Sequence, residues 1–290
     1  MEEEVERMAT PRKIKRRKTL RQRAKENEGF QKALSIILPV FLGIVLLALW
    51  QTEVLHKWFH TDTFTLPLPS RINGILIQNL DKVWENVVST LTVAGVGLVL
   101  GSLLGYLVAI LATLFPRGGK GGLSICGAFA SIPVVALAPV LNNWTKDVST
   151  EASQRSMVAK ILVVMLIAAA NMSLNAYRGL SELKPYALDL MATYATKKVV
   201  TLWKLRFPNS VPYIFVALKV SVPACIMTAI VSEYFAEYIT GVGRAIRENI
   251  VLSQYSTAWV YILTACLMGI LSYAVLMIIQ NIVLRRYHTN

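Results

Sequence analysis

Apolar residues in this chain are gathered into long, nearly uninterrupted blocks, and that arrangement limits the fold more than any motif does. A helix needs about 20 mostly apolar residues to cross roughly 30 Å of hydrocarbon. Six blocks approach or exceed that length, at residues 33–50, 87–114, 123–141, 158–174, 213–235 and 258–284. A soluble core would instead spread its apolar positions among polar ones at strand or helix spacing. With 54% hydrophobic content held in blocks and a mean hydropathy of +0.50, the chain reads as an integral membrane protein. In hydrocarbon every backbone polar group must be satisfied within the span or in a closed barrel. The short alternating segments of a barrel are lacking, so the expectation is an all-α fold of six transmembrane helices.

Cations set the expected orientation, because Lys and Arg accumulate in the short loops that stay inside. With the N-terminus inside, the inner segments hold 21 of the 30 Lys and Arg but only eight of the 17 acids. Both termini are therefore expected in the cytoplasm. The organisation that follows is a basic tail (1–32), a first span with an outer loop (33–86), a core of five spans (87–284) and a short cytoplasmic tail (285–290).

The formal charge of +13 could suggest nucleic acid, but nine cations lie between Arg12 and Lys25, directly before the first span. That placement reads as a topology signal resting on anionic lipid, with a regulatory role the alternative, and nucleic acid is not an expected partner. The first block runs 18 uncharged residues and is followed by Gln51-Thr52-Glu53 without a small-residue cleavage pattern, so it reads as an anchor. Cys126, Cys225 and Cys266 stand apart in apolar blocks, and His56 and His60 have no carboxylate or Cys at ligand spacing. No metal site follows from them. No nucleotide-binding, nucleophile-elbow or dinucleotide pattern occurs either, so energy must reach this chain from another subunit or from a gradient.

Two blocks carry features of their own. In the second, Gly97, Gly101 and Gly105 recur every four residues and strip one helix face of side chains. Such a face permits close backbone approach, either within the bundle or against a dimer or gate partner. The third contains Ser131-Ile132-Pro133 and then Pro139. Each proline removes a backbone hydrogen bond, and a broken helix at membrane depth often borders a transport route. At the outer end of the fifth block, Glu233 is either solvated or paired with Arg244 or Arg247, or else serves a gate. Lys219, inside that block, either snorkels to the inner interface or lines a path.

Between the fourth and fifth blocks, residues 181–212 form a polar, cation-bearing elbow. Pro185 fits only a first helical turn, and residues 186–198 lack Gly and Pro, so the spacing predicts a helix ending at Lys197 and Lys198, where the dipole favours cations. A second helical stretch, 199–207, should stop at Pro208, with Asn209 and Ser210 available to cap the fifth span. Ala187, Met191 and Ala195 give the first helix a small-sided apolar face, and a cytoplasmic apolar face is most simply explained by a docked partner.

Here the residues resemble a known family. Asp189-Leu190-Met191-Ala192-Thr193-Tyr194-Ala195, twelve residues and then Pro208 is similar to the coupling loop of binding-protein-dependent ABC importer permeases, which reads Glu-Ala-Ala, three residues, Gly, and later Pro. Leu66 to Ser70, the glycine-rich second span, Ser131 to Pro139, and Ser232-Glu233 with Gly241-Val242-Gly243 look like the nitrate, sulfonate and taurine type. The loop departs from the pattern where Asp189 replaces Glu, Leu190 and Met191 replace the alanine pair, and Ala195 replaces Gly. Those departures leave open whether the second permease is an identical or a different chain.

The resemblance implies a type I permease in the inner or plasma membrane, with a cytoplasmic coupling helix between the fourth and fifth spans. It implies two permeases forming the pathway, ATP-binding subunits that hold ATP and Mg, and an extracytoplasmic solute-binding protein. No cofactor and no catalytic residue are expected on this chain itself. Asp189, Leu190, Met191, Ala192, Ala195, Lys197, Lys198 and Pro208 become candidate contacts to the ATPase. Ser131, Pro133, Pro139, Met227, Ser232 and Glu233 become candidates for the pathway or its gate. The alternative class is a gradient-driven transporter or channel working without an ATPase, and the solute could be a small anion or a heterocyclic vitamin precursor.

Overall fold

A computed structural model describes residues 28–145, 147–148, 150–236 and 240–288. The basic stretch from Arg12 to Lys25 lies outside them. The described residues are helical, with no strand among them. They fall into two compact units divided at Thr61 and Asp62. The first unit contains α1 (Glu28–Gln51) and the six-residue α2 (Val54–Phe59). Helix α1 has apolar residues on every side between Ile37 and Trp50 and carries Pro39 within it.

The second unit is the bundle. It comprises α3 (Pro69–Gln78), α4 (Leu80–Leu114), α5 (Pro116–Ala130), α6 (Val134–Trp144), α7 (Ala152–Ser181), α8 (Ala187–Thr193), α9 (Lys198–Thr201), a π-helical turn (Leu202–Arg206), α10 (Phe207–Tyr234), α11 (Val242–Val251) and α12 (Tyr255–His288). Among the described residues four helices are long and apolar enough to cross a membrane: α4, α7, the continuous run Lys198–Tyr234 and α12 from Tyr255 to Arg285. Their outer sides show Leu103, Leu107, Ile270, Leu271 and Ile278, each more than half exposed, as lipid-facing sides do.

The third block is not one helix. α5 and α6 meet at 101° across Ser131-Ile132-Pro133. Pro133 supplies no N–H, and the break is flanked by short bonds, from Ser131 N–H to the Ala128 carbonyl on one side and from Ala136 N–H to the Pro133 carbonyl on the other. Pro139, in contrast, sits inside α6 without ending it. Against six expected spans, four long helices qualify among the described residues, or five with the bent pair counted as one, and the first block holds only the shorter apolar helix Ile37–Gln51.

Helix α7 is the centre of the bundle, packed between α4 and α10. The three glycines of α4 face it. A Cβ on Gly97 would lie 2.6 Å from the Val164 Cβ, and those on Gly101 and Gly105 would strike the backbone carbonyls of Met165 and Ala169. Small residues answer from α7, where Ala168, Ala169 and Ala176 are buried. Around this contact Val93, Val164, Phe215, Val222 and Ile226 form one apolar cluster, and Ala109, Met172, Leu180 and Ala217 a second. Backbone contact of this kind lets dispersion act without a hydrophobic drive between helices.

Substituting Gly101 by Leu should therefore separate α4 from α7, with a cost of roughly 1–3 kcal/mol or more from overpacking. Thermal melting of the detergent-solubilised protein should fall for Gly101→Leu and stay unchanged for Gly95→Ala, since a Cβ on Gly95 meets nothing within 4 Å. Equal melting for both would contradict the packing.

Candidate functional site

The last carbonyls of α7 have no partners within their own helix, and the start of the fifth span supplies them. Arg206 Nη1 donates to the Leu180 carbonyl at 2.7 Å, and Asn209 Nδ2 donates to the carbonyls of Gly179 and Glu182 at 2.8 and 3.0 Å. Tyr213 Oη adds a bond to Glu182 Oε2 at 3.2 Å. Gly179 permits the approach, because a Cβ there would come within 2.9 Å of the Ser210 Cα. The base of the elbow is thereby tied to α7 and α10 together.

The elbow differs from its sequence expectation in four ways. Pro185 lies outside any helix, and α8 runs only from Ala187 to Thr193. It ends because Ala195 turns left-handed at φ 48°, with Ala195 N–H bonding the Ala192 carbonyl and Thr196 N–H the Met191 carbonyl. That pair of bonds is a Schellman C-cap, a position that favours Gly. Consequently Lys197 and Lys198 do not end the first helix. Lys197 is the N-cap of α9 and Lys198 its first residue. Nor does Pro208 stop a helix: it sits in the first turn of α10, just after the π turn, where Phe207 N–H reaches back five residues to the Leu202 carbonyl. The wider turn accommodates a residue without an N–H. With the helix continuous, Asn209 and Ser210 do not cap its start. Asn209 serves α7, and Ser210 Oγ lies 2.9 Å from Tyr106 Oη of α4.

The bulky side chains that the elbow presents outward are apolar or aromatic, with charged ones beside them. Leu190 is 57% exposed, Tyr194 74% and Tyr186 82%, with Val199 and Trp203 also exposed. Asp189, Ala192, Ala195, Lys197, Lys198 and Pro208 are exposed beside them, and Met191 is half-buried. Met191, Ala192 and Leu188 line a cleft of about 320 Å³ against Thr113, Leu114 and Pro116 at the end of α4. Tyr186, which precedes α8, is also left-handed at φ 62°. Two non-glycine residues in this unfavourable region bracket a seven-residue helix, and such strain collects at functional segments.

At the other end of the bundle Glu233 is neither solvated nor paired with Arg244 or Arg247. It is fully buried, and its Oε2 accepts from Thr90 Oγ1 at 2.9 Å and from Gly243 N–H at 3.0 Å. Lys160 of α7, also buried, interacts with it electrostatically. Arg247 Nη1 instead donates to the Tyr234 carbonyl and stacks over the Tyr234 ring at 5.8 Å. Thr90 Oγ1 accepts Val242 N–H at 2.9 Å, and Asn86 Oδ1 accepts Gly241 N–H at 2.9 Å. Three successive amides at the start of α11 are thus held by α4 and α10. Gly241 is at φ 103°, and a Cβ there would strike the Glu233 carboxyl. Only glycine fits, which gives the Gly241-Val242-Gly243 sequence its physical reason.

The remaining candidates are not brought together. Ser131 and Pro133 are exposed in the break between α5 and α6, and Pro139 is exposed on α6. Met227 is 69% exposed on an apolar face with Pro223 and Ile270. Ser232 is buried and bonds back to the Ala229 carbonyl. Arg206, Asn86, Thr90 and Lys160 went unread in the sequence, and Asn209 was read there only as a cap. For Arg206 the available signal was a cation two residues before Pro208 at the mouth of a span.

The chain has counterparts among known proteins. The profile of the binding-protein-dependent transport system inner membrane component matches residues 97–289. The chain belongs to that family. It is thus a multi-pass membrane permease component of such a transport system. The ThiX formylaminopyrimidine transport permease protein of Halalkalibacterium halodurans is 24% identical over 249 residues, covering 85% of this chain and 94% of its own. A probable ABC transporter permease protein of Haemophilus influenzae is 27% identical over 202 residues, covering 69% and 78%. In fold the permease is similar to a chain of the MetNI methionine ABC transporter in an inward-facing conformation. The TM-score is 0.50 at 15% identity, over 70% of this chain and 97% of that one.

Because Ala195 occupies a left-handed C-cap, Ala195→Gly should relieve about 1 kcal/mol of backbone strain. Hydrogen exchange across residues 187–197 should slow in the variant, and Ala195→Val should accelerate it. The opposite ranking would remove the left-handed turn from the account. Glu233→Ala should strip Gly243 of its acceptor at a cost of about 1–3 kcal/mol, seen as faster exchange over residues 241–251 with α8 unaffected.

Proposed function

We propose that this permease conducts a small organic solute inward through a pathway shared with a second permease, and that the elbow couples it to an ATP-binding subunit. The observation that carries the reading is the apolar outer surface of the elbow, with Leu190, Tyr194, Val199 and Trp203 exposed together while its base is fastened to α7 and α10. A surface of this kind is costly in water and useful when seated in a partner's groove. Tied to two spans at once, it turns any displacement of the partner into a displacement of both.

On this reading α8 is the cytoplasmic coupling helix, both termini are cytoplasmic, and α1 and the α5–α6 pair complete six spans. ATP and Mg belong to the partner subunit, and an extracytoplasmic binding protein delivers the solute. The pathway side includes the break at Pro133, with Pro139 and Met227 as candidate lining residues. Ser232 and Glu233 act behind it, as supports. Among solute classes, the formylaminopyrimidine relative favours a neutral heterocycle over the nitrate, sulfonate and taurine anions.

Leu190→Glu with Tyr194→Glu should weaken capture of the ATP-binding subunit at least ~30-fold, the effect of losing about 2 kcal/mol of contact, and abolish ATP-driven uptake. Asp81→Asn, at the opposite end of α4, should leave both intact. In sealed cells a membrane-impermeant thiol reagent should label Tyr194→Cys only after permeabilisation. Labelling of intact cells, or full co-purification of the double variant, would overturn the assignment.

A further inference from the structure

The far end of the bundle holds a polar cavity of about 460 Å³ that the coupling machinery does not use. Its walls come from α3, the first turns of α4, α11 and the start of α12, and they include Lys82, Glu85, Arg244, Glu248, Asn249 and Tyr261. The cavity size is that of ordinary small-molecule sites. The elbow cleft is lined by Thr113 of α4, about 31 residues further along that helix. At ~1.5 Å per residue this puts the two roughly 45 Å apart, more than the ~30 Å of hydrocarbon, so they open on opposite sides of the membrane.

Charge defines the ligand. Two cations and two carboxylates share the walls, so a bare anion meets Glu85 and Glu248 and a bare cation meets Lys82 and Arg244. A solute bearing both signs satisfies both sets. Arg244 is set up for the anionic end: its Nη1 is tethered to the Ala236 carbonyl at 3.3 Å, while its Nε is buried without a hydrogen-bond partner. A guanidinium fixed in the wall suits a carboxylate, to which its remaining N–H groups can donate charge-assisted hydrogen bonds. Glu248, one turn further along α11, is placed to receive an amine. The floor is rigid, because Asn86 bonds Gly241 N–H and so joins the cavity to the buried Glu233 cluster.

We infer that this cavity is a binding site for a small zwitterionic solute on the side opposite the elbow. A charged side-chain pair on a docked protein would offer similar chemistry, but a recessed cavity of this size fits a free molecule better.

The test uses the full transporter, with its ATP-binding subunit, in nanodiscs. Glycine, β-alanine and γ-aminobutyrate serve as zwitterions of increasing charge separation, with acetate and methylammonium as single-charge controls. At least one zwitterion should raise the melting temperature and slow hydrogen exchange at residues 80–86 and 242–251, and the controls should not. Arg244→Gln and Glu248→Gln should each weaken the apparent affinity tenfold or more. Should Arg244→Gln unfold, Glu248→Gln carries the test alone, since nothing in the backbone depends on that carboxylate. The site falls if acetate protects as well as any zwitterion, if no zwitterion exceeds the single ions, or if both variants bind normally. Protection only on docking of a solute-binding protein would also overturn it, in favour of a protein contact. Binding is read directly, so failure here leaves the elbow's coupling role untouched.

Discussion

Close contact between α4 and α7 is the constraint on which the rest of this bundle depends. Three glycines at four-residue spacing place the α4 backbone against the carbonyls of Met165 and Ala169. At that distance two long helices cannot slide or rotate independently, because any change of register would drive a side chain into the facing backbone. Helix α10 then closes on α7 from the other side through Phe215, Val222 and Ile226. The three helices pack as one unit, with the elbow at one end and the Glu233 cluster at the other.

The attachments differ in character. At the elbow end, side chains of the α9–α10 run satisfy the unpaired carbonyls of α7, so the connection uses neutral and charge-assisted hydrogen bonds near the helix terminus. At the far end, a buried carboxylate and two polar side chains hold the first amides of α11. Burying Glu233 is unfavourable unless its hydrogen bonds and its charge are compensated. Oε2 has two donors, whereas Oε1 is buried without one. The result is that α11 and the cavity above it move only when α4 and α10 move. A ligand in that cavity and a partner on the elbow would act on one rigid body from opposite ends.

The bundle was legible in the blocks because burial in lipid demands length and uniform apolarity, and both survive without tertiary information. The glycine repeat declared a contact face for the same reason, since spacing alone fixes which residues share a side. The elbow was legible only in outline. Pro208 reads locally as a helix stop, yet a π turn supplies the geometry that admits it. Lys197 and Lys198 read as the end of one helix, whereas the left-handed turn at Ala195 makes them the start of the next. In both cases a local preference gave way to a backbone device with no compositional signature. Glu233 was harder still. Its partners Thr90 and Gly243 are distant in sequence or separated by a turn, and nothing in an isolated acid at the end of a span distinguishes a solvated group from a buried one. The clamp by Arg206 and Asn209 had the same difficulty, because its acceptors are backbone carbonyls, which carry no residue identity.

The distribution of strain completes the physical picture. Unfavourable left-handed residues in the bundle occur at Tyr186 and Ala195, on either side of α8, and at Ser253 before α12. Glycines in α4 and around α11 bring backbones together instead, and of these Gly241 also takes a positive φ. Rigidity is therefore concentrated along the spans and at α11, while the seven-residue helix that faces outward is held by two turns that each cost about 1–2 kcal/mol. A segment poised in this way gains from any partner that stabilises its bound form, because contact energy can offset strain that the free elbow must carry. An elbow relaxed by glycine at both positions would dock with less stored energy to release, and a bundle loosened at Gly101 would have nothing firm to receive the motion.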